Sequence, residues 1–171
     1  MRNFLLPAFA VAVMAIFPSC AGYHIGGVKP AQLQGVQSIA VPNVKNLTLE
    51  PRVDVFVTNA IIAQMQEDGT YKVANEGKAD AKLEVSIVNF DRRQMRSARF
   101  NTLRTRELGL TIMLEYRLID LKTQELLRRG TARGETTVFI EGNHQNAERQ
   151  ALPEAAERAA VRLVSNLSEG W

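Results

Sequence analysis

The chain has 171 residues, 46% of them hydrophobic and 23% charged, with a formal net charge of +3. That is enough apolar material for one sizeable core, and too small a charge excess to identify a partner from its sign alone. One cysteine and two histidines leave no intramolecular disulfide and no metal-ligand spacing of the H-x-x-x-H kind.

Met1-Arg2-Asn3 opens the chain, and from Phe4 to Phe17 there is no charge. A short positive start followed by an apolar run is the pattern of a secretory signal, and the run falls short of the about 20 residues a spanning helix needs. Phe17-Pro18-Ser19-Cys20-Ala21 follows at once and resembles the lipobox read by bacterial lipoprotein-processing enzymes, with Phe17 where an aliphatic residue is usual. Cys20 has no second cysteine to pair with, so a thioether-linked lipid would consume an otherwise free thiol. Each buried methylene of such an anchor contributes about 0.8 kcal/mol, and several acyl chains hold a protein to a bilayer almost permanently. Ala21, where an Asp would mark inner-membrane retention, favours the outer membrane. The expected division is a signal peptide over 1–19, a lipidated tether over 20–35 and one domain over 36–171. His24 falls in the glycine-rich tether and reads as a solvated linker residue.

Within the domain, residues 36–42 form a β-branched run stopped by Pro42, a strand by composition. Residues 43–49 read as loop, and Pro51 stands where a first helical turn tolerates it. Val53, Phe56, Val57, Ala60, Ile61 and Met65 recur at helical spacing, and Asp68-Gly69 closes that helix. A short strand at 71–73 and a turn at 75–78 come next. Leu83, Val85 and Ile87 alternate with Glu84 and Ser86, and Leu108 through Leu118 alternate in the same way, each a strand with one face on a core. A turn at 120–124 leads to a less regular strand over 126–139 that carries two glycines. From about 147 to 167 the helical period returns, with Leu152, Ala156, Ala159, Ala160, Leu163, Val164 and Leu167 as its apolar stripe; Pro153 opens or kinks this helix. The order β-α-β-β-β-β-α predicts an α+β, two-layer α/β sandwich, two helices on one face of a mixed, mostly antiparallel sheet.

No catalytic constellation can be assembled, and no cofactor or metal site is expected. His144, beside Glu141 and Asn143, lacks a second ligand at useful spacing. The chain therefore reads as a binding or structural protein, not an enzyme. One charged feature stands out. Arg92, Arg93, Arg96, Arg99, Arg104 and Arg106 lie between the two clearest strands, with no lysine among them. Guanidinium forks grip phosphate or carboxylate bidentately, and Met95, Phe100 and Leu103 are interleaved. A hairpin tip of this mixture suits an amphiphile with phosphates at its head; the alternative is a solvated hairpin. An envelope location excludes nucleic acid as the partner.

Cys20-Ala21-Gly22-Tyr23-His24-Ile25-Gly26-Gly27, the run from Ile39 to Pro51, Ala79-Asp80-Ala81-Lys82-Leu83 and the Ala-rich C-terminal helix together resemble the LptE family of lipopolysaccharide-assembly lipoproteins. The resemblance implies an outer-membrane lipoprotein, anchored on the periplasmic side, that plugs and supports the β-barrel LptD and binds lipopolysaccharide through basic residues. The arginine cluster is nominated on its own chemistry. Ile39 to Asn46 is also similar to the strand and loop that open lipoproteins of another class, periplasmic regulators of cell-wall synthases or curli-type secretion lipoproteins.

Overall fold

Pro42 shapes how the domain begins. The computed structural model describes residues 29–98, 101–140 and 144–169, with backbone alone for 96–98, 101–106 and 144. A 3-10 turn, Ala31–Leu33, buries Leu33 and leads into β1 (Ser38–Ala40). Pro42 has no N–H to give to a ladder, so pairing stops there and resumes in β2 (Lys45–Asn46). The loop expected over 43–49 therefore contains a short strand. α1 (Val53–Asp68) follows, then β3 (Lys72–Val73), β4 (Ala81–Ala98), β5 (Asn101–Asp120), β6 (Leu126–Phe139) and α2 (His144–Ser168).

The sheet runs β3-β1-β4-β5-β6, with β2 also on β4. β1 is parallel to both its neighbours, β2 is parallel to β4, and the three long strands are antiparallel. One face is covered by both helices and the other is bare among the described residues, so the two-layer α+β arrangement expected from the hydrophobic periods is the one observed. Leu83, Val85, Ile87, Ile112, Leu114, Tyr116 and Leu118 stand on the covered face and are buried. The stripe of α2, from Leu152 to Leu167, is buried against them as predicted.

Two helix details depart from the periodic reading. Phe56 is 37% exposed, and Thr58 takes the inner position. The Thr58 hydroxyl donates to the Asp54 carbonyl (2.7 Å) and accepts from the Val44 N–H (3.1 Å), which satisfies a strand-end donor inside the core. Pro153 does not open α2; it lies inside the helix, nine residues past its start. Gly69 closes α1 at φ 70°, as expected, its N–H donating to the Met65 carbonyl.

The two glycines of β6 have packing reasons. A Cβ on Gly134 would stand 2.1 Å from the Ala155 carbonyl oxygen and 2.4 Å from the Ala159 nitrogen, so α2 can press its alanine face onto the sheet only where that side chain is missing. Gly130 is paired with Tyr116, whose hydroxyl oxygen lies 2.6 Å and ring carbon Cζ 2.8 Å from where a Cβ would be.

Candidate functional site

Apart from residues 99 and 100, the polar stretch between the two clearest strands is itself strand. β4 continues to Ala98 and β5 begins at Asn101, so Arg92, Arg93, Arg96, Arg104 and Arg106 lie on the legs of one long hairpin. At about 3.3 Å per residue, β4 is roughly 60 Å long, and its two ends stand far apart. At one end, Lys29 donates to the Val36 carbonyl (2.8 Å) and sits over the Tyr71 ring, whose hydroxyl donates to the Leu167 carbonyl (3.1 Å). Burial pushes the Tyr71 phenol up to about 12, so it remains a donor throughout the physiological range. The chain thus enters the domain at the end opposite the hairpin tip.

A bulge at Val88 shifts the pleat. Beyond it Phe90 and Arg92 face the helix side, while Asn89, Asp91 and Arg93 face the bare side. Arg92 is held on two sides, by Glu50 from the loop before α1 and by Glu148 in the first turns of α2, with its guanidinium 4.5 Å from the centre of the Phe90 ring. Burial works against its charge, but the hydrogen bonds that Arg92 donates to Glu148 and Glu50 outweigh that and move its pKa further up. Arg92 therefore clamps three elements together at the root of the hairpin. Its partners lie 42 and 56 residues away in the chain, and nothing in the local sequence signals them.

Arg93 is different. It points to the bare side, is 74% exposed and pairs with the flanking Asp91 carboxylate at 3.2 Å. Met95, 56% exposed, lies against the backbone of Gly109. The side chains of Arg96, Arg104 and Arg106 lie outside the described residues, as do Arg99, Phe100, Cys20 and His24 altogether and the side chains of Leu103 and His144. The structure brings Arg92 and Arg93 to one strand but to opposite faces.

A second feature went unread in the sequence. Leu47 and Leu49 project from the loop after β2, 66% and 102% exposed. With Val88, Phe90 and Arg92 they line a cleft of about 620 Å³ beside the hairpin. Two bare leucines beside the Arg92 guanidinium and its Glu50 partner make an apolar surface with a charged border. The loop is built rather than loose: the Asn46 carboxamide oxygen accepts from the Thr48 N–H (2.9 Å) and hydroxyl (2.7 Å), and its NH₂ donates to the Glu50 carbonyl (2.6 Å). An Asx turn of this kind is a local signal for a fixed tip.

The bare sheet face carries Lys82, Glu84, Ser86, Glu115, Arg117, Arg129 and Thr131 around an open groove of about 890 Å³. Arg117 and Arg129 are directly opposed across β5 and β6, an arrangement that like charges disfavour. Among the described residues, no group of three or more His, Cys, Asp or Glu side chains is placed to hold a metal ion.

Comparison with known proteins bears on what this scaffold is. Of solved structures, protein XCC0632 from Xanthomonas campestris superposes with a TM-score of 0.58 at 14% identity, over 81% of this chain and 87% of that one. A PelC L103M dodecamer from Paraburkholderia phytofirmans gives 0.53 at 14% identity, over 83% and 94%. The hypothetical protein CT253 from Chlamydia trachomatis gives 0.54 at 6% identity, over 77% and 95%. Identities this low establish a shared fold and nothing further. No curated protein sequence matches. A family model does: the one described as LptE, lipopolysaccharide-assembly, matches residues 36–167, which is the whole span from two residues before β1 to the last turn of α2. By that match the chain belongs to the LptE family of lipopolysaccharide-assembly proteins.

Proposed function

We propose that this protein is an outer-membrane lipoprotein, anchored through lipid on Cys20 on the periplasmic side, that plugs and supports an LptD-type β-barrel during lipopolysaccharide assembly. The observation that carries the proposal is the family match over residues 36–167. The role is structural, and we assign it no reaction. A rigid sandwich with a bare, charged sheet face is suited to the polar interior of a large barrel, where a hydrophobic face would be wasted. The exposed Leu47 and Leu49 beside the arginine-bearing hairpin add a surface for an amphiphile, with acyl chain against leucine and phosphate against guanidinium. In this reading Arg93, Arg96, Arg99, Arg104 and Arg106 meet lipid A phosphates, each charge-assisted bond contributing about 1.5–3 kcal/mol. Arg92 takes part only by exchanging a carboxylate for phosphate.

Depletion with rescue tests the proposal. Loss of the protein from its native cell should reduce lipopolysaccharide at the cell surface. The wild-type chain should restore it, Cys20→Ala should leave the protein released from membranes and fail to restore it, and replacement of Arg93, Arg96 and Arg99 by serine should restore it only partly. Unchanged surface lipopolysaccharide on depletion would contradict the function. Persistent membrane association of Cys20→Ala would contradict the anchor.

A further inference from the structure

The two edges of the sheet are unequal. On one side the edge is β3, two residues long. On the other it is β6, fourteen residues with no proline and, among the described residues, no strand beyond it. Long free edges are normally covered or broken, because an unpaired row of N–H and C=O groups invites another strand.

The register decides which groups are free. Asp80 gives its carbonyl to the Leu121 N–H and Ile87 gives its own to Leu47, so even residues of β4 at this end bond β5 and odd ones bond the opposite neighbours. The ladder then requires Leu114, Tyr116 and Leu118 of β5 to bond Ala132, Gly130 and Arg128 of β6. Arg133, Glu135 and Thr137 therefore aim both backbone groups outward, with no hydrogen-bond partner among the described residues. The Thr131 carbonyl is outward too, and the Asn166 side chain caps it at 3.2 Å.

Beside this edge runs a groove of about 910 Å³, walled on its far side by Arg158, Val161 and Arg162 of α2. Arg162 has no carboxylate partner among the described residues; Arg158 is paired with Glu154 and Arg133 with Glu135. Cations outnumber the single lining carboxylate, Glu135. The strand ends on Phe139, 68% exposed.

We propose that β6 is a strand-addition site, and that its occupant is an extended acidic segment of the partner protein, its main chain paired to Arg133–Thr137 and its carboxylates facing Arg162 and Arg158. This rests on the reading that the protein works bound to a barrel. A second copy is the poorer fit, since edge-to-edge pairing would bring two sets of these same cations together.

Hydrogen exchange at single-residue resolution, on the free full-length protein and on its isolated complex with the barrel, tests it. The amides of Arg133, Glu135 and Thr137 should exchange freely alone and slow by about tenfold or more in the complex. Arg133→Pro removes one outward N–H without touching the β5 ladder, so the free protein should keep its melting temperature while recovery of the complex falls about tenfold. Arg162→Glu should weaken recovery as well. A complex in which those three amides stay fast would overturn strand addition while leaving the barrel reading intact. Protection that grows with concentration in the free protein would overturn the assigned occupant in favour of a second copy. Absence of any complex removes both this inference and the function on which it rests. Should Arg133→Pro fail to fold, the exchange data on the wild-type chain still decide.

Discussion

Along β4 the residues before Val88 and those after it sit in different surroundings. Leu83, Val85 and Ile87 are pressed under the helices, alternating with Glu84 and Ser86 on the bare face. Past the bulge, the helix-side residues are Phe90 and Arg92, and Met95 is more than half exposed. The first part is held by burial, at about 25 cal/mol for each Å² of apolar surface removed from water. The second is held by its ladder to β5 and by one arginine fastened to Glu50 and Glu148. A single strand thus carries a packed foundation and a projecting arm, and beyond Phe90, which still packs on the edge of the core, the arm can present guanidinium groups.

Substitutions separate the two regimes. The largest effect is expected at the foundation's tightest point, where Gly134→Val would drive a side chain into the Ala155 carbonyl and the Ala159 nitrogen and lift α2 from the sheet. We expect a loss of about 3 kcal/mol or more by denaturant unfolding. A variant as stable as the wild type would show that α2 does not rest on β6. Next, Leu83→Ala should cost about 2–5 kcal/mol in the same assay, whereas Met95→Ala on the same strand should stay within about 0.5 kcal/mol. Equal costs at the two positions would erase the distinction between foundation and arm.

Arg92→Ala should change global stability by less than about 1 kcal/mol, because its side chain is 42% exposed and water screens both ion pairs. Its effect should instead be local, with faster amide exchange along residues 89–95 and none at Leu83 to Ile87. A uniform change along β4 would rule out a clamp at the root of the hairpin.

The smallest effect is a pH dependence at the end of the sheet where β1 meets β4. Asp80 accepts from the Ser38 hydroxyl (2.8 Å), the Gln37 N–H (3.2 Å) and the Ser38 N–H (3.0 Å), and these bonds hold its carboxyl below the ordinary aspartate value of 3.8. A depressed folded-state pKa means the ionised form is favoured by folding. The stabilisation is therefore full above pH 3.8 and is lost as pH falls through the lower, folded value. Asp80→Asn should flatten that part of the acid-unfolding curve, and an unaltered curve would assign the dependence elsewhere, Asp120 with its Lys122 and Thr123 amide bonds being the other lowered carboxylate of this kind.

The contrast along β4 also explains what the sequence disclosed. Alternation at Leu83–Ile87 and Leu108–Leu118 and the alanine stripe of α2 were legible because a buried face imposes its period on the side chains. The bulge at Val88 breaks that period in β4, and Arg92 stands where an apolar residue would continue it, so Asp91, Arg93 and Gln94 read as irregular polar sequence. β2 was hidden by its two-residue length and by the proline before it. Phe56 was misplaced because periodicity alone cannot tell that Thr58, bonded to Val44, would claim the inner position. The arginines were legible as residues but not as a site: which face each occupies depends on the bulge at Val88, and the partners of Arg92 lie far along the chain. The strand edge at β6 was invisible, since alternation says which face is buried and never which strand is last.

Purification from detergent-solubilised native membranes addresses the functional claim most directly. Membership of the lipopolysaccharide-assembly family, read with the bare polar sheet face, predicts that the tagged protein is recovered in a stable one-to-one complex with a large outer-membrane β-barrel. Recovery alone, or in complex with a cell-wall synthase in place of a barrel, would contradict it.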